Sequence, residues 1–263
     1  MNLGGRTALV TGASGGLGQA IARALAQRGA SLVLSARTVD VLEALAAETG
    51  GRVVASDLSD RAAIERLVEE AGPVDALVAN AGIPGSGPLE SFSVEQIDRA
   101  LDVNLRAPMI MTRLMCEGMV SRGGGHIVFV SSLSGKAGTA RSSVYAATKF
   151  GLRGFAQSLR EDLRPRGVGV STVFPGFIRG AGMFHDSGAK VPGYVGTKTP
   201  DDVARAVVKA IEHDRSEIDV APLQMRIGTA IAGLAPEAAA IVQRKLGANE
   251  IARRVTDAQR DKR

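Results

Sequence analysis

Tryptophan is absent from this chain of 263 residues, cysteine occurs once, and aromatic residues make up only 3% of it. The single Cys116 excludes an internal disulfide and a thiolate-based zinc site. His126, His185 and His213 are too scattered to supply metal-ligand spacing, so no metal is expected. With so few aromatic rings, the core must be built from Ala, Val, Leu and Ile. They suffice for a sizeable one, because 45% of the residues are hydrophobic and 22% charged, an ordinary globular balance. The start MNLGGRTALV lacks the basic and long apolar regions of a secretory signal, so a cytoplasmic location is expected. No transmembrane segment is expected either. The most apolar stretch, IGTAIAGLAPEAAAIV at 227–242, is interrupted by Pro236-Glu237 and falls short of the roughly 20 residues that span a bilayer. Apolar enough to suggest membrane contact, it reads rather as a packed or interfacial helix against the substrate cleft or a second subunit.

The net charge is +5. Arg and Lys are interspersed with Asp and Glu along most helical segments, and no aromatic-rich basic stripe accompanies them, so no nucleic-acid partner is expected. Nor does any linker, repeat or low-complexity segment divide the chain. The expected organisation is one catalytic domain over 1–222 with a helical extension over 223–263.

What is present is alternation. Apolar runs at 6–11, 31–35, 52–56, 74–80, 126–131, 168–174 and 217–221 are nearly continuous, as in strands buried on both faces. Between them lie segments with apolar residues at three and four spacing, such as LGQAIARALAQRG ending at Gly29 and RAAIERLVEEAG ending at Gly72. This pattern predicts an α/β fold: a doubly wound, Rossmann-type parallel sheet with right-handed crossovers and helices on both faces. In such sheets ligands bind beyond the carboxyl ends of the strands.

The chemistry-bearing residues fall at those ends. After the first strand comes TGASGGLGQA, in which Gly12, Gly16 and Gly18 permit a tight turn and close backbone approach just before a helix. The helix N-terminus then offers N–H groups and a positive dipole to a pyrophosphate. The second strand ends in LSART, with Ala36 where an acid would accept from a ribose 2′-hydroxyl, and Arg37 next. Arg37 reads either as a solvated loop cation or as the partner of a 2′-phosphate; the missing acid favours NADP(H) over NAD(H). Asp57 after the third strand is either a cofactor-side carboxylate or the cap of a helix starting near Ser59. Asn80, Ala81 and Gly82 follow the fourth strand, where small residues let the backbone run beside a dinucleotide. In SSVYAATKFG, Tyr145 and Lys149 stand four apart, one turn apart on one helix face.

Together these residues resemble the short-chain dehydrogenase/reductases over about residues 5–220. The resemblance rests on TGASGGLG at 11–18, Asp57-Leu58, NAG at 80–82, Asn104 in a DVN segment, Ser132, Tyr145 with Lys149, and Pro175-Gly176. It implies about seven strands, a nicotinamide cofactor and carbonyl/alcohol interconversion. It implies Tyr145 as general acid/base, Ser132 as the donor that polarises the substrate oxygen, and Lys149 as the group that lowers the phenol pKa and holds the nicotinamide ribose. Asn104, placed in a long helix, is then expected to hold a water that resupplies protons through Lys149. Cofactor contacts carry over to Ser14, Leu17, Leu58, Ala81, Pro175, Gly176 and Ile178 beside the residues already named.

Spacing to Tyr145 in the family favours Ser132, while neighbouring Ser131 is not excluded by the residues themselves. Ser132 also reads as a simple turn cap, and Asn104 as a solvated helix residue. Two positions depart from the family pattern: Ala79 precedes Asn80, and Gly180 stands where a Thr is usual, which removes one cofactor amide contact. The segment 176–196 carries Phe177, Ile178, Met183, Phe184, Val191 and Tyr194 among glycines and reads as a lid over a partly hydrophobic small-molecule carbonyl or alcohol substrate. His185 within it is not expected to be catalytic. RRVTDAQRDKR at the end reads as solvated or frayed. The resemblance further implies a homodimer or homotetramer. A 3-oxoacyl-thioester reductase is a close alternative, expected to carry a basic patch beside the cleft, and a non-catalytic dinucleotide-binding regulator is a more distant one.

Overall fold

The computed structural model describes residues 1–188 and 195–245, together with Arg253 and Thr256. All seven apolar runs form strands: β1 Thr7–Thr11, β2 Ser31–Ser35, β3 Arg52–Val53, β4 Ala76–Ala79, β5 Gly125–Val130, β6 Val168–Pro175 and β7 Glu217–Val220. Every neighbouring pair is parallel, in the order β3-β2-β1-β4-β5-β6-β7. The order reverses between β1 and β4, and the crevice of a doubly wound sheet lies at that switch point.

The helices are α1 Gly16–Ala26, α2 Val39–Thr49, α3 Arg61–Ala71, α4 Val94–Leu101, α5 Ala107–Ser121, α6 Ser143–Leu163, α7 Met183–Asp186, α8 Pro200–His213, α9 Leu223–Leu234 and α10 Pro236–Lys245. Alternate side chains of each strand serve the two faces. In β1, Ala8 and Val10 pack with Ile21 and Leu25 of α1, Leu42 of α2 and Val207 of α8. Leu9 between them packs with Ile64 of α3, Met111 of α5 and Leu152 of α6. Both cores are aliphatic, as the composition requires.

Three local expectations change. The third strand is shorter than 52–56, although Val54 and Ser56 continue the ladder by donating to the Leu34 and Ala36 carbonyls at 3.0 and 3.1 Å. Asp60, not Asp57, caps α3, accepting from the Ala62 N–H. The stretch 227–242 is two helices, because Pro236 has no N–H to continue α9. No helix among the described residues is long and apolar enough to cross a membrane, and no cluster of potential metal ligands occurs among them.

Candidate active site

A cleft of about 900 Å³ opens beyond the carboxyl ends of the strands. Gly12, Ser14, Gly16, Leu17, Arg37, Asp57, Leu58, Asn80, Ala81, Gly82, Ser132, Tyr145, Lys149, Pro175, Gly176 and Ile178 all line it. Gly18 and Asn104 do not. A Cβ on Gly18 would stand 2.2 Å from the Gly12 carbonyl oxygen, so Gly18 seats α1 against the turn.

The glycine turn fits a dinucleotide. Gly12 has φ +64°, and a Cβ there would lie 2.8 Å from the Ala81 Cα, so the β1 turn and the β4 end meet backbone to backbone. Asn80 ties them together, its side-chain amide donating to the Thr11 and Gly12 carbonyls at 3.0 and 3.3 Å. Gly15, at the N-cap of α1, supplies no side-chain cap, and the N-terminus faces the cleft as an anion site would. Nearby, the buried Ser35 Oγ borders the cleft with no hydrogen-bond partner among the described residues.

At the β2 and β3 ends, Arg37 is exposed and lines the cleft. The Asp57 carboxylate accepts from the Ser59 N–H and hydroxyl at 3.0 and 2.8 Å. The Ser59 backbone bond, aided by the charges of Arg37 and Arg99, holds its pKa below the usual carboxylate range. Arg99 of α4 also lines this end. It escapes a reading by motif, although its i, i+4 relation to cleft-lining Val103 marks one helix face.

At the other end stand Ser132, Tyr145 and Lys149. The Ser142 side chain makes no cap bond for α6. Instead the Tyr145 N–H donates to the Gly85 carbonyl at 3.0 Å, so a distant loop fixes the turn that carries the phenol. A Cβ on Gly85 would come within 3.2 Å of the Tyr145 nitrogen. Ser132 stands close enough to the Tyr145 side chain to favour its ionised form and accepts from the Ser134 N–H at 3.1 Å, so it is a turn cap as well. Ser131 turns away: its hydroxyl donates to the Lys149 carbonyl at 3.3 Å.

The Lys149 Nζ donates to the Val130 carbonyl at 3.2 Å and lies 5.6 Å from the Tyr145 ring centroid. Burial brings this ammonium down to about 8. The expected lowering of the phenol pKa is not met. Tyr145 lines the cleft half-buried, and desolvation pushes it up to about 12, with neighbouring Ser132 acting in the opposite direction. The ammonium is anchored on β5 beside the ring, not on the phenol oxygen.

Asn104 is not a solvated residue of an ordinary helix. It is fully buried in a π-helical turn, Asp102–Arg106, between α4 and α5. Its Oδ1 accepts from the Ile83 N–H at 2.8 Å and its Nδ2 donates to the Ile83 carbonyl at 2.9 Å. The wider turn is a device often found at functional sites.

The segment after Pro175-Gly176 covers the glycine turn. Phe177, Ile178, Met183 and Phe184 line the cleft, with the Phe177 and Phe184 rings 4.7 Å apart. Ala181 occupies the space beside Gly16, where a Cβ would meet it at 2.3 Å. Gly180 and Gly182 have φ of +85° and +86°, conformations that a Thr would not adopt. Exposed His185 pairs with Asp186 at 3.3 Å. Val191 and Tyr194 lie outside the described residues.

The extension supplies a wall that motif reading missed. Met225, Gly228, Thr229 and Ile231 of α9, Ala239 of α10 and Thr256 line the half of the cleft beside Leu133. Thr256 is not solvated as its charged surroundings suggest; it is buried and accepts from Arg141 Nη1 at 3.2 Å. The other residues of 253–263, apart from Arg253, lie outside the described ones. Arg141 lines the same half with φ +61°, uncommon for a non-glycine residue.

A family profile described as short chain dehydrogenase matches residues 6–192. The ketoacyl reductase HetN of Nostoc is 40% identical over 228 residues, 83% of this chain and 79% of its own length. The 3-oxoacyl-[acyl-carrier-protein] reductase FabG of Escherichia coli is 36% identical over 184 residues, 68% of this chain and 75% of its own. Among solved structures, a blue fluorescent protein from a metagenomic library in complex with NADPH superposes with TM-score 0.76 at 31% identity, covering 84% of this chain and 98% of that one. A 3-ketoacyl-(acyl-carrier-protein) reductase from Brucella melitensis complexed with NADH gives TM-score 0.74 at 29% identity, covering 83% and 97%.

Proposed function

The chain belongs to the short chain dehydrogenase family and is an oxidoreductase; from that premise we propose that it interconverts a ketone and a secondary alcohol with NADP(H), using Tyr145 as general acid/base. The observation that carries the reading is the convergence of Ser132, Tyr145 and Lys149 at one end of a cleft whose other end is the glycine turn.

The dinucleotide supplies or accepts a hydride when bound. Gly12, Ser14, Gly16 and Leu17 would hold its pyrophosphate, Asn80, Ala81 and Gly82 its ribose side, and Lys149 with Ile178 its nicotinamide end. Arg37 and Arg99 favour the 2′-phosphorylated form, since two cations flank the single Asp57 carboxylate at the adenosine end.

As a carbonyl is reduced, negative charge develops on its oxygen. The Ser132 hydroxyl is the donor aimed at that oxygen. With its pKa near 12, Tyr145 keeps its proton throughout neutral pH and donates it to an alkoxide, which is far more basic than a phenolate. Lys149 favours the phenolate left behind, and its own pKa near 8 lets it pass a proton at ordinary pH. Asn104 fixes the Ile83 peptide beside this path, and the proton-resupply water belongs to the same proposal.

A non-catalytic dinucleotide-binding protein has no need of these three side chains together. A 3-oxoacyl thioester is the second substrate reading, favoured by the ketoacyl reductases among the relatives and by Arg141 at the substrate half. A panel of ketones and 3-oxoacyl thioesters followed at the nicotinamide absorbance separates the two. Tyr145→Phe tests the mechanism: it is expected to bind NADPH normally and to lose turnover by about 10²-fold or more. Full turnover in that variant refutes the role.

A further inference from the structure

The outward face of α9 is apolar along its length. At 100° per residue, Leu223, Ile227, Ile231 and Leu234 fall within an arc of about 80°, and they are 65%, 51%, 51% and 89% exposed. The opposite arc carries Met225 and Thr229, which line the cleft, and Ala232, which is buried. A surface helix that buries one stripe ordinarily presents polar residues on the other. Here four large aliphatic side chains stand there instead, and a contiguous exposed patch of this kind marks an interaction surface.

Charge identifies the partner. Residues 223–263 hold eight Arg or Lys against four Asp or Glu, which accounts for nearly all of the chain's net +5. We propose that this face docks on an anionic lipid surface, with α9 lying in the interface, Arg226 on the same helix, and the net positive charge of 223–263 favouring the anionic partner. Apolar area and electrostatic attraction to anionic lipid are the two contributions that hold such helices on membranes. A second copy of the chain is a poorer occupant, since it brings the same net positive charge to a twofold contact. An acidic protein would satisfy the charges and leave the unbroken aliphatic stripe unexplained.

Ile231 belongs both to the stripe and to the cleft lining, so the apolar surface runs from the outside of α9 into the substrate half. Docked in this way, the enzyme receives its substrate from the lipid phase. Resting on the reductase reading above, this narrows the substrate class to apolar ketones that partition into membranes.

The test is co-flotation of the full chain with vesicles of phosphatidylcholine alone and of equal parts phosphatidylcholine and phosphatidylglycerol. It needs no turnover, so its outcome is independent of the catalytic reading. The wild-type chain is expected to float with the anionic vesicles and to bind them about tenfold or more tightly than the neutral ones. Ile227→Ser with Leu234→Ser, neither residue lining the cleft, is expected to lose binding by about tenfold or more. Its circular dichroism and its turnover of a water-soluble ketone should stay unchanged. Wild-type chain left in solution, or binding indifferent to the two substitutions, overturns the proposal. So does size-exclusion evidence that the two side chains hold a dimer, or capture of an acidic carrier protein lost in the same variant without vesicle binding.

Discussion

Asn104 holds both backbone polar groups of Ile83, accepting from its N–H at 2.8 Å and donating to its carbonyl at 2.9 Å. One buried side chain thus replaces a strand neighbour for a loop beside the cleft. Asn104→Ala removes both partners at once. It is expected to destabilise the fold by about 2 kcal/mol, the cost of leaving buried polar groups unpaired, read as a lower midpoint in chemical denaturation.

Adjacent serines should behave oppositely. Ser132→Ala is expected to lower kcat by about 10²-fold with little change in KM, because the lost donor acts on charge that develops only as the carbonyl reacts. Ser131→Ala removes a bond to the Lys149 carbonyl and should instead cost about 1 kcal/mol of stability while retaining most turnover. Steady-state kinetics beside thermal melts on both variants distinguishes the roles. Equal kinetic losses would show that Ser132 has no special place.

Arg37→Ala is expected to weaken NADPH by about tenfold or more and to leave NADH nearly unchanged, since only the phosphorylated ribose offers a charged partner. Arg99→Ala should move affinity in the same direction by a smaller factor. Fluorescence titration of both dinucleotides checks this. Parallel weakening of the two would remove both arginines from 2′-phosphate recognition.

His126 predicts the acid limb of stability. The imidazole is buried on β5, with Nε2 2.8 Å from the Ser171 Oγ, and burial lowers its pKa from 6.5 to about 4. Between those values the unfolded chain takes up a proton that the folded chain refuses, so stability falls as pH drops from 6.5 and levels off below about 4. The contribution is about 3 kcal/mol at most. Denaturation midpoints at pH 7 and 4.5 should differ less in His126→Gln than in the wild type, and an imidazole resonance titrating near 6.5 would contradict the assignment.

The fold was legible because buried parallel strands must be apolar on both faces, and β1, β2 and β5 accordingly stand out as continuous runs. Most of the candidate site was legible because the turn at Gly12 tolerates no side chain against Ala81, and because a helix sets Tyr145 and Lys149 one turn apart. Asp57 reads as a possible cap because an aspartate suits a helix start; that Asp60 takes the cap instead depends on where the chain leaves β3.

The sequence by itself determined the layers, the cleft's position at the strand ends and the chemical types gathered there, all consequences of local periodicity and backbone freedom. Tertiary structure alone decided which serine faces the phenol and how far burial shifts Tyr145 and Lys149. It also decided that Gly85 anchors the first turn of α6 and that α9 carries one apolar face to the cleft and another to the outside. These depend on groups far apart in the chain, whose distances and solvent exposure exist only after packing.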